Sequence, residues 1–168
     1  MSSAYADTTT YARTHSVTFL SDNLLNTLRE IIRENGLSPE KLMQDRDVIA
    51  SGLRTWLASG HLTRIVVEFY RPGGTVADAR WELPVTYDGS GVDDDMWVDK
   101  NYLRQLIAKA KRPATDCSSR IVLFTNPGAQ TVAGFSDCSL LPTGSLVARS
   151  AGTVIATRHM TAAITYWK

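Results

Sequence analysis

Three histidines, two cysteines and a run of three aspartates are the residues whose types could support catalysis or metal binding. His15, His61 and His159 stand far apart. They form no His-x-His, HExxH or Cys–His pairing of the kind that holds zinc. Cys117 and Cys138 lack CxxC spacing and read as reduced thiols of a cytoplasmic protein. Asp93, Asp94 and Asp95 could attract Mg²⁺ or Ca²⁺. They match no EF-hand pattern, however, and they precede a helix start, where negative charge is favourable, so they read as a solvated loop. Pro72-Gly73-Gly74 and Asp88-Gly89-Ser90-Gly91 are turns rather than phosphate cradles, since neither has the glycine and lysine spacing of a nucleotide loop. No GxSxG elbow is present to activate a serine. The expectation is therefore a protein that is not an enzyme and has no metal or cofactor. Lys109, Lys111, Arg112 and Arg120 cluster in sequence and offer a nucleic-acid alternative, weighed against an ordinary solvated helix end.

The elements that would position these residues form one domain. The chain has 168 residues, 43% hydrophobic and 21% charged, with a net charge of +1. That composition is globular rather than disordered, and it lacks the basic excess of a dedicated duplex binder. No apolar run approaches a membrane span, and the N-terminus carries no secretory pattern.

Residues 1–14, rich in Ser, Thr, Ala and Tyr, read as a flexible tail, with Ser16–Phe19 able to join a strand. A helix capped at Ser21 or Asp22 follows. Leu24, Leu25, Leu28, Ile31 and Ile32 line its inner face, and Gly36 ends it. A second helical region begins at Ser38-Pro39, divides near Gln44–Arg46 and ends at Gly60. Its apolar face is Val48, Ile49, Leu53, Trp56 and Leu57. A hairpin follows, with strands around Ile65–Tyr70 and Ala79–Tyr87 joined through Arg71–Gly74. Pro84 marks the returning strand as an edge or a bulge. A third helix starts at the Asp99 cap, buries Tyr102, Leu103, Leu106, Ile107 and Ala110, and stops at Pro113. Arg120–Thr125 is a near-continuous apolar strand, which suggests a covered, central place. Ala129–Gly144 is a loop, and Leu146–Ser150, Val154–Arg158 and Ala162–Trp167 are strands. The Trp and Tyr residues read as core. The fold class is α+β, with three helices on one face of a mostly antiparallel sheet.

The order of these pieces resembles the HORMA domain, and most of all the bacterial HORMA proteins of CBASS-type antiphage operons. The resemblance rests on Ser16–Phe19, Leu28–Arg33, Trp56–Leu62, Ala79–Leu83, Asp95–Asp99, Arg120–Thr125 and Leu146–Lys168. It spans residues 15–168, as a core of 15–128 and a safety-belt segment of 129–168.

The resemblance implies a non-enzymatic signalling adaptor. A closure-motif peptide adds as a strand beside Arg120, Ile121, Val122, Leu123, Phe124 and Thr125. The belt wraps over it, with Leu146–Ser150 and Val154–Arg158 as a movable hairpin contributing Leu146, Val147, Val154 and Ile155. The implied partners are a cGAS/DncV-like nucleotidyltransferase that the adaptor activates, an AAA+ remodelling ATPase that pulls on the N-terminal tail, and in some operons a second HORMA protein. An accessory HORMA protein, supplying a closure motif or scaffolding without closing, is the alternative within the family.

Overall fold

The computed structural model describes residues 2–87 and 96–168, with side chains from Arg13 onward. The first helix, α1 (Ser2–Glu34), is longer than the sequence suggests. Val17 and Leu20 continue the stripe of Leu24, Leu28 and Ile31 at helical spacing, and all five are buried. That stripe requires helix through 16–19, so the strand expected there is corrected. The helical backbone runs on from Ser2 through the stretch set apart as a tail, and Arg13 donates to the Ala58 carbonyl at 3.1 Å.

The second helical region divides at Asp45, as its pattern indicates, into α2 (Glu40–Gln44) and α3 (Arg46–Ser59). Gly60 closes α3 at φ 74°, a conformation that favours a residue without Cβ. The last helix, α4 (Lys100–Lys109), is capped by Asp99, whose Oδ1 accepts from the Tyr102 N–H at 2.9 Å. The Asp93–Asp95 loop and the Asp88–Gly91 turn lie outside the described residues.

The described residues form six strands, β1 (Leu62–Tyr70), β2 (Ala79–Thr86), β3 (Trp97–Val98), β4 (Ser118–Thr125), β5 (Ala148–Ala156) and β6 (Thr161–Trp167). They form one antiparallel sheet in the order β3-β5-β6-β2-β1-β4. Ile65, Val67 and Phe69 of β1, with Trp81 and Leu83 of β2, share a core with α1 to α4, while Glu68 and Arg80 alternate onto the opposite face. Each fully buried Leu or Ile contributes about 1.5–3 kcal/mol, so the stripe of α1 alone is a large part of the driving force.

Three expectations are corrected by the sheet. β4 is an edge strand and not a central one; its apolar residues Ile121 and Leu123 are covered by helices and a loop rather than by a neighbouring strand. β2 is interior despite Pro84. Its ladder to β6 pairs Glu82 with Thr165 and Val85 with Ala162 and lapses between them, where proline has no N–H to give. Leu146–Ser150 and Val154–Arg158 do not form a hairpin. Residues 148–156 are one strand with register shifts between Ser150 and Thr153 and between Thr153 and Ile155, and the hairpin is β5 with β6. Trp97 departs from the reading of Trp as core: it is 44% exposed on the short strand β3.

Candidate functional site

Among the described residues, β4 pairs only with β1, which leaves one backbone edge of β4 open. Cross-strand register decides where its side chains go. Ile121 and Leu123 stand opposite Val67 and Ile65 and face the helices, whereas Arg120, Val122 and Phe124 stand opposite Glu68, Val66 and Arg64 on the other face. Thr125 is exposed at the strand end.

The segment after β4 arches over this open edge. Its first half docks on α3. The Trp56 indole donates to the Gln130 carbonyl at 2.8 Å, Val132 is buried, and the Phe135 ring meets Trp56 edge-on at 4.9 Å. Gly134, at φ 93°, lies so close to Val48 that an added Cβ would stand 2.6 Å from a Val48 methyl.

The second half docks on the other face of the sheet, at a charged cluster. Glu68 is fully buried. One of its carboxylate oxygens accepts from Arg120 at 2.7 Å, and the other accepts from Arg80 at 2.7 Å and from the Leu141 N–H at 3.0 Å. Arg80 and Arg120 in turn donate to the Leu141 and Ser139 carbonyls. The Ala77 N–H then donates to the Pro142 carbonyl at 2.8 Å.

Between the two docking points the arch leaves a groove along β4. One lobe, about 570 Å³, is lined by residues including Leu123, Phe124, Trp56, Thr131 and Asp137. The adjoining lobe, about 310 Å³, is lined by residues including Ile121, Leu42, Val48, Ile49 and Lys41. Phe135 and Cys138 border both. This combination of an unpaired strand edge, walls that mix apolar and polar side chains and a covering chain suits an extended peptide better than a compact ligand.

The six β4 residues singled out from sequence, Arg120 to Thr125, therefore lie together along the groove. The four belt residues do not. Val154 and Ile155 are buried in β5, with three strands between it and β4, and Val147 is 53% exposed beside Lys168, with which it exchanges backbone hydrogen bonds. Leu146 is half-buried next to it.

Trp56, Phe135, Glu68 and Arg80 shape the site without being anticipated for it. A signal existed for two of them: Glu68 interrupts the most apolar strand of the chain, and Phe135 is the one aromatic in the long loop 129–144. The basic set is dispersed. Lys111 pairs with Asp78 at 3.4 Å, Arg120 with Glu68, and the Arg112 guanidinium packs against Gly36.

Asp78 and Cys117 make a separate small cluster at the β1–β2 end. Burial pushes the Asp78 carboxyl up, but the Ala114 N–H at 2.7 Å and Lys111 outweigh it and hold the group below its ordinary value. Burial, then the Asp78 charge, push the Cys117 thiol up. Burial likewise pushes the Tyr87 phenol up to about 12, and its hydroxyl donates to the Leu62 carbonyl at 2.7 Å. No group of three His, Cys, Asp or Glu side chains among the described residues is placed to hold a metal, and none of their helices is long and apolar enough to cross a membrane.

None of the curated proteins matches this chain in sequence. Solved structures do match its fold. A chain of the Mitotic Checkpoint Complex aligns with a TM-score of 0.68 at 10% identity, covering 92% of this chain and 95% of that one. C. elegans HTP-2 bound to a HIM-3 closure motif aligns with a TM-score of 0.64 at 16% identity, covering 93% and 91%. A chain of the E. coli MS115-1 HORMA:CdnC:Trip13 complex aligns with a TM-score of 0.57 at 15% identity, covering 95% and 88%. The model of one family, Bacterial HORMA domain 2, matches residues 5–168. That match spans the helices, the sheet and the arch over β4 alike, and the chain belongs to the bacterial HORMA domain 2 family.

Proposed function

We propose that this chain is a non-enzymatic adaptor that binds a closure-motif peptide as a seventh strand along β4. The observation that carries this reading is the open edge of β4 lying beneath a chain segment fastened on both sides of it. Arg120 to Thr125 supply the receiving backbone, and residues 129–142 supply the covering belt. Main-chain hydrogen bonds along the edge give affinity. The lobes beside Ile121 and Leu123, which mix apolar and polar walls, select the peptide's inward side chains.

The loaded adaptor binds and activates a cGAS/DncV-like nucleotidyltransferase in antiphage defence. The similarity to the E. coli HORMA:CdnC:Trip13 complex supports this partner, and also an AAA+ ATPase that resets the adaptor. The ATPase would engage the N-terminal end of α1. Pulling there would strip Val17, Leu20 and Leu24 from the core and so loosen the sheet they cover. The β5–β6 hairpin, residues 148–167, is the part of the belt segment that would change its place in the sheet.

Native mass spectrometry of the chain co-expressed with its neighbouring nucleotidyltransferase tests the reading, together with an assay of nucleotide synthesis. A complex whose synthesis rises when a groove-binding peptide is added is the expected result. Absence of a complex, with synthesis unchanged by the adaptor, would overturn it.

A further inference from the structure

The groove is closed by two fastenings of different chemistry. The first is apolar: Phe135 on Trp56 and Gly52. The second is ionic: Glu68, Arg80 and Arg120 gripping Ser139 and Leu141. Only three residues lie between Phe135 and Ser139, and the two can be at most about 14 Å apart. A peptide lying under so short a bridge leaves sideways only when one fastening opens.

The ionic fastening has features a simple surface bridge lacks. Its carboxylate is fully buried, and its partners are Arg80 of β2, Arg120 of the edge strand and the Leu141 N–H of the belt. Arg80 is 10% exposed, and its ring-face contact with Trp167 at 5.3 Å ties the cluster to β6 as well. Arg120 stands on β4 itself, so one side chain joins the receiving strand, the buried carboxylate and the belt. Opening the belt takes the Leu141 N–H from Glu68 and two carbonyls from the arginines, leaving charged groups short of hydrogen-bond partners. Such a cluster favours one closed arrangement over partly open ones.

We propose that Glu68, Arg80 and Arg120 form a clasp that fastens residues 139–141 and sets how fast the belt opens over β4. The part of this proposal that concerns a bound peptide rests on the strand-addition reading above; the part that concerns the belt does not. Arg120 acts here as a positioning residue, holding the belt rather than reading the peptide's side chains.

Amide hydrogen exchange on the full chain tests the clasp without any ligand. Arg120→Gln removes the link on the partly exposed edge strand, and Glu68→Gln removes its centre. Exchange across residues 139–147 is expected to quicken roughly tenfold or more in Arg120→Gln, while residues 62–67 of β1 exchange as in the unaltered chain. Arg120→Lys keeps the charge but cannot bridge Glu68 and Ser139 with one planar fork, so it should fall between the two. Should Glu68→Gln disturb the core, Arg120→Gln decides. Unchanged exchange over 139–147 in an intact Arg120→Gln variant would overturn the clasp.

A random 12-residue peptide selected on the unaltered chain supplies the second arm. Its dissociation is expected to quicken in Arg120→Gln by the same factor as belt exchange. Quickened exchange with unchanged dissociation would overturn the clasp's control of the groove. Failure to select any peptide would count against strand addition, and the exchange comparison would still decide the fastening.

Discussion

Phe135 lies over Gly52 with its ring tip where a side chain would begin: a Cβ on Gly52 would stand 2.5 Å from the Phe135 Cζ. Gly52 sits inside α3, where glycine is a poor helix former. Its value is the room it leaves for the belt. Gly52→Ala should therefore separate two properties. The helix gains about 0.5–1 kcal/mol from reduced backbone entropy, while the ring is pushed off α3. The expected outcome is an unchanged or higher melting temperature together with faster proteolysis between residues 129 and 139. A variant equally resistant to protease would show that the ring has another way to dock.

Phe135→Ala removes the ring rather than displacing it. The side chain is half-buried, so its loss should cost about 1–3 kcal/mol, below the usual figure for a fully buried Phe. Chemical denaturation measures the cost. The same variant should weaken peptide binding, because Phe135 borders both lobes of the groove.

Asp78 gives the fold an acid-sensitive joint. Its carboxyl is held below its ordinary value in the folded chain, so the stabilisation is present above the unfolded pKa and is lost as pH falls through the folded one. Asp78→Asn should lower stability at pH 7 by about 1–2 kcal/mol, since the amide cannot pair with Lys111 as a charge. The difference between variant and parent should shrink below about pH 4. Thermal melts across pH 3–7 (an interval of roughly this width suffices) read it directly; a constant difference across the range would contradict the assignment.

The two cysteines report on the groove. Cys138 is exposed on the groove wall, whereas Cys117 is half-buried with its thiol pushed up beside Asp78. Iodoacetamide should modify Cys138 faster than Cys117 by roughly tenfold or more. A peptide bound along β4 should slow Cys138 modification and leave Cys117 unchanged. Equal rates with and without a bound peptide would place the peptide elsewhere.

Much of this architecture is local in origin and could be read from residue spacing. The Asp99 cap, the break at Asp45, the Gly60 stop and the alternation of Trp81, Leu83 and Arg80 all follow from neighbours in sequence. The family was legible as well, from the order of the pieces. What escaped was set by partners far along the chain. Pro84 is tolerated inside the sheet because the β6 ladder lapses beside it, and nothing near Pro84 announces that. The apolar run of β4 resembles a central strand because a loop and helices cover it as a strand would. Val154 and Ile155 look like belt contacts in isolation, yet β5 places them in the core. The contacts that fasten residues 129–142 join positions more than seventy apart, such as Glu68 with Leu141 and Trp56 with Gln130.

Strand addition at the open edge of β4 is the function proposed for this fold. Amide hydrogen exchange over residues 118–125, compared with and without a library-selected peptide, tests it most directly. New protection along β4, with added protection of residues 129–142 above it, is the predicted result. A peptide that binds tightly yet leaves the β4 amides exchanging as before would contradict strand addition at this edge.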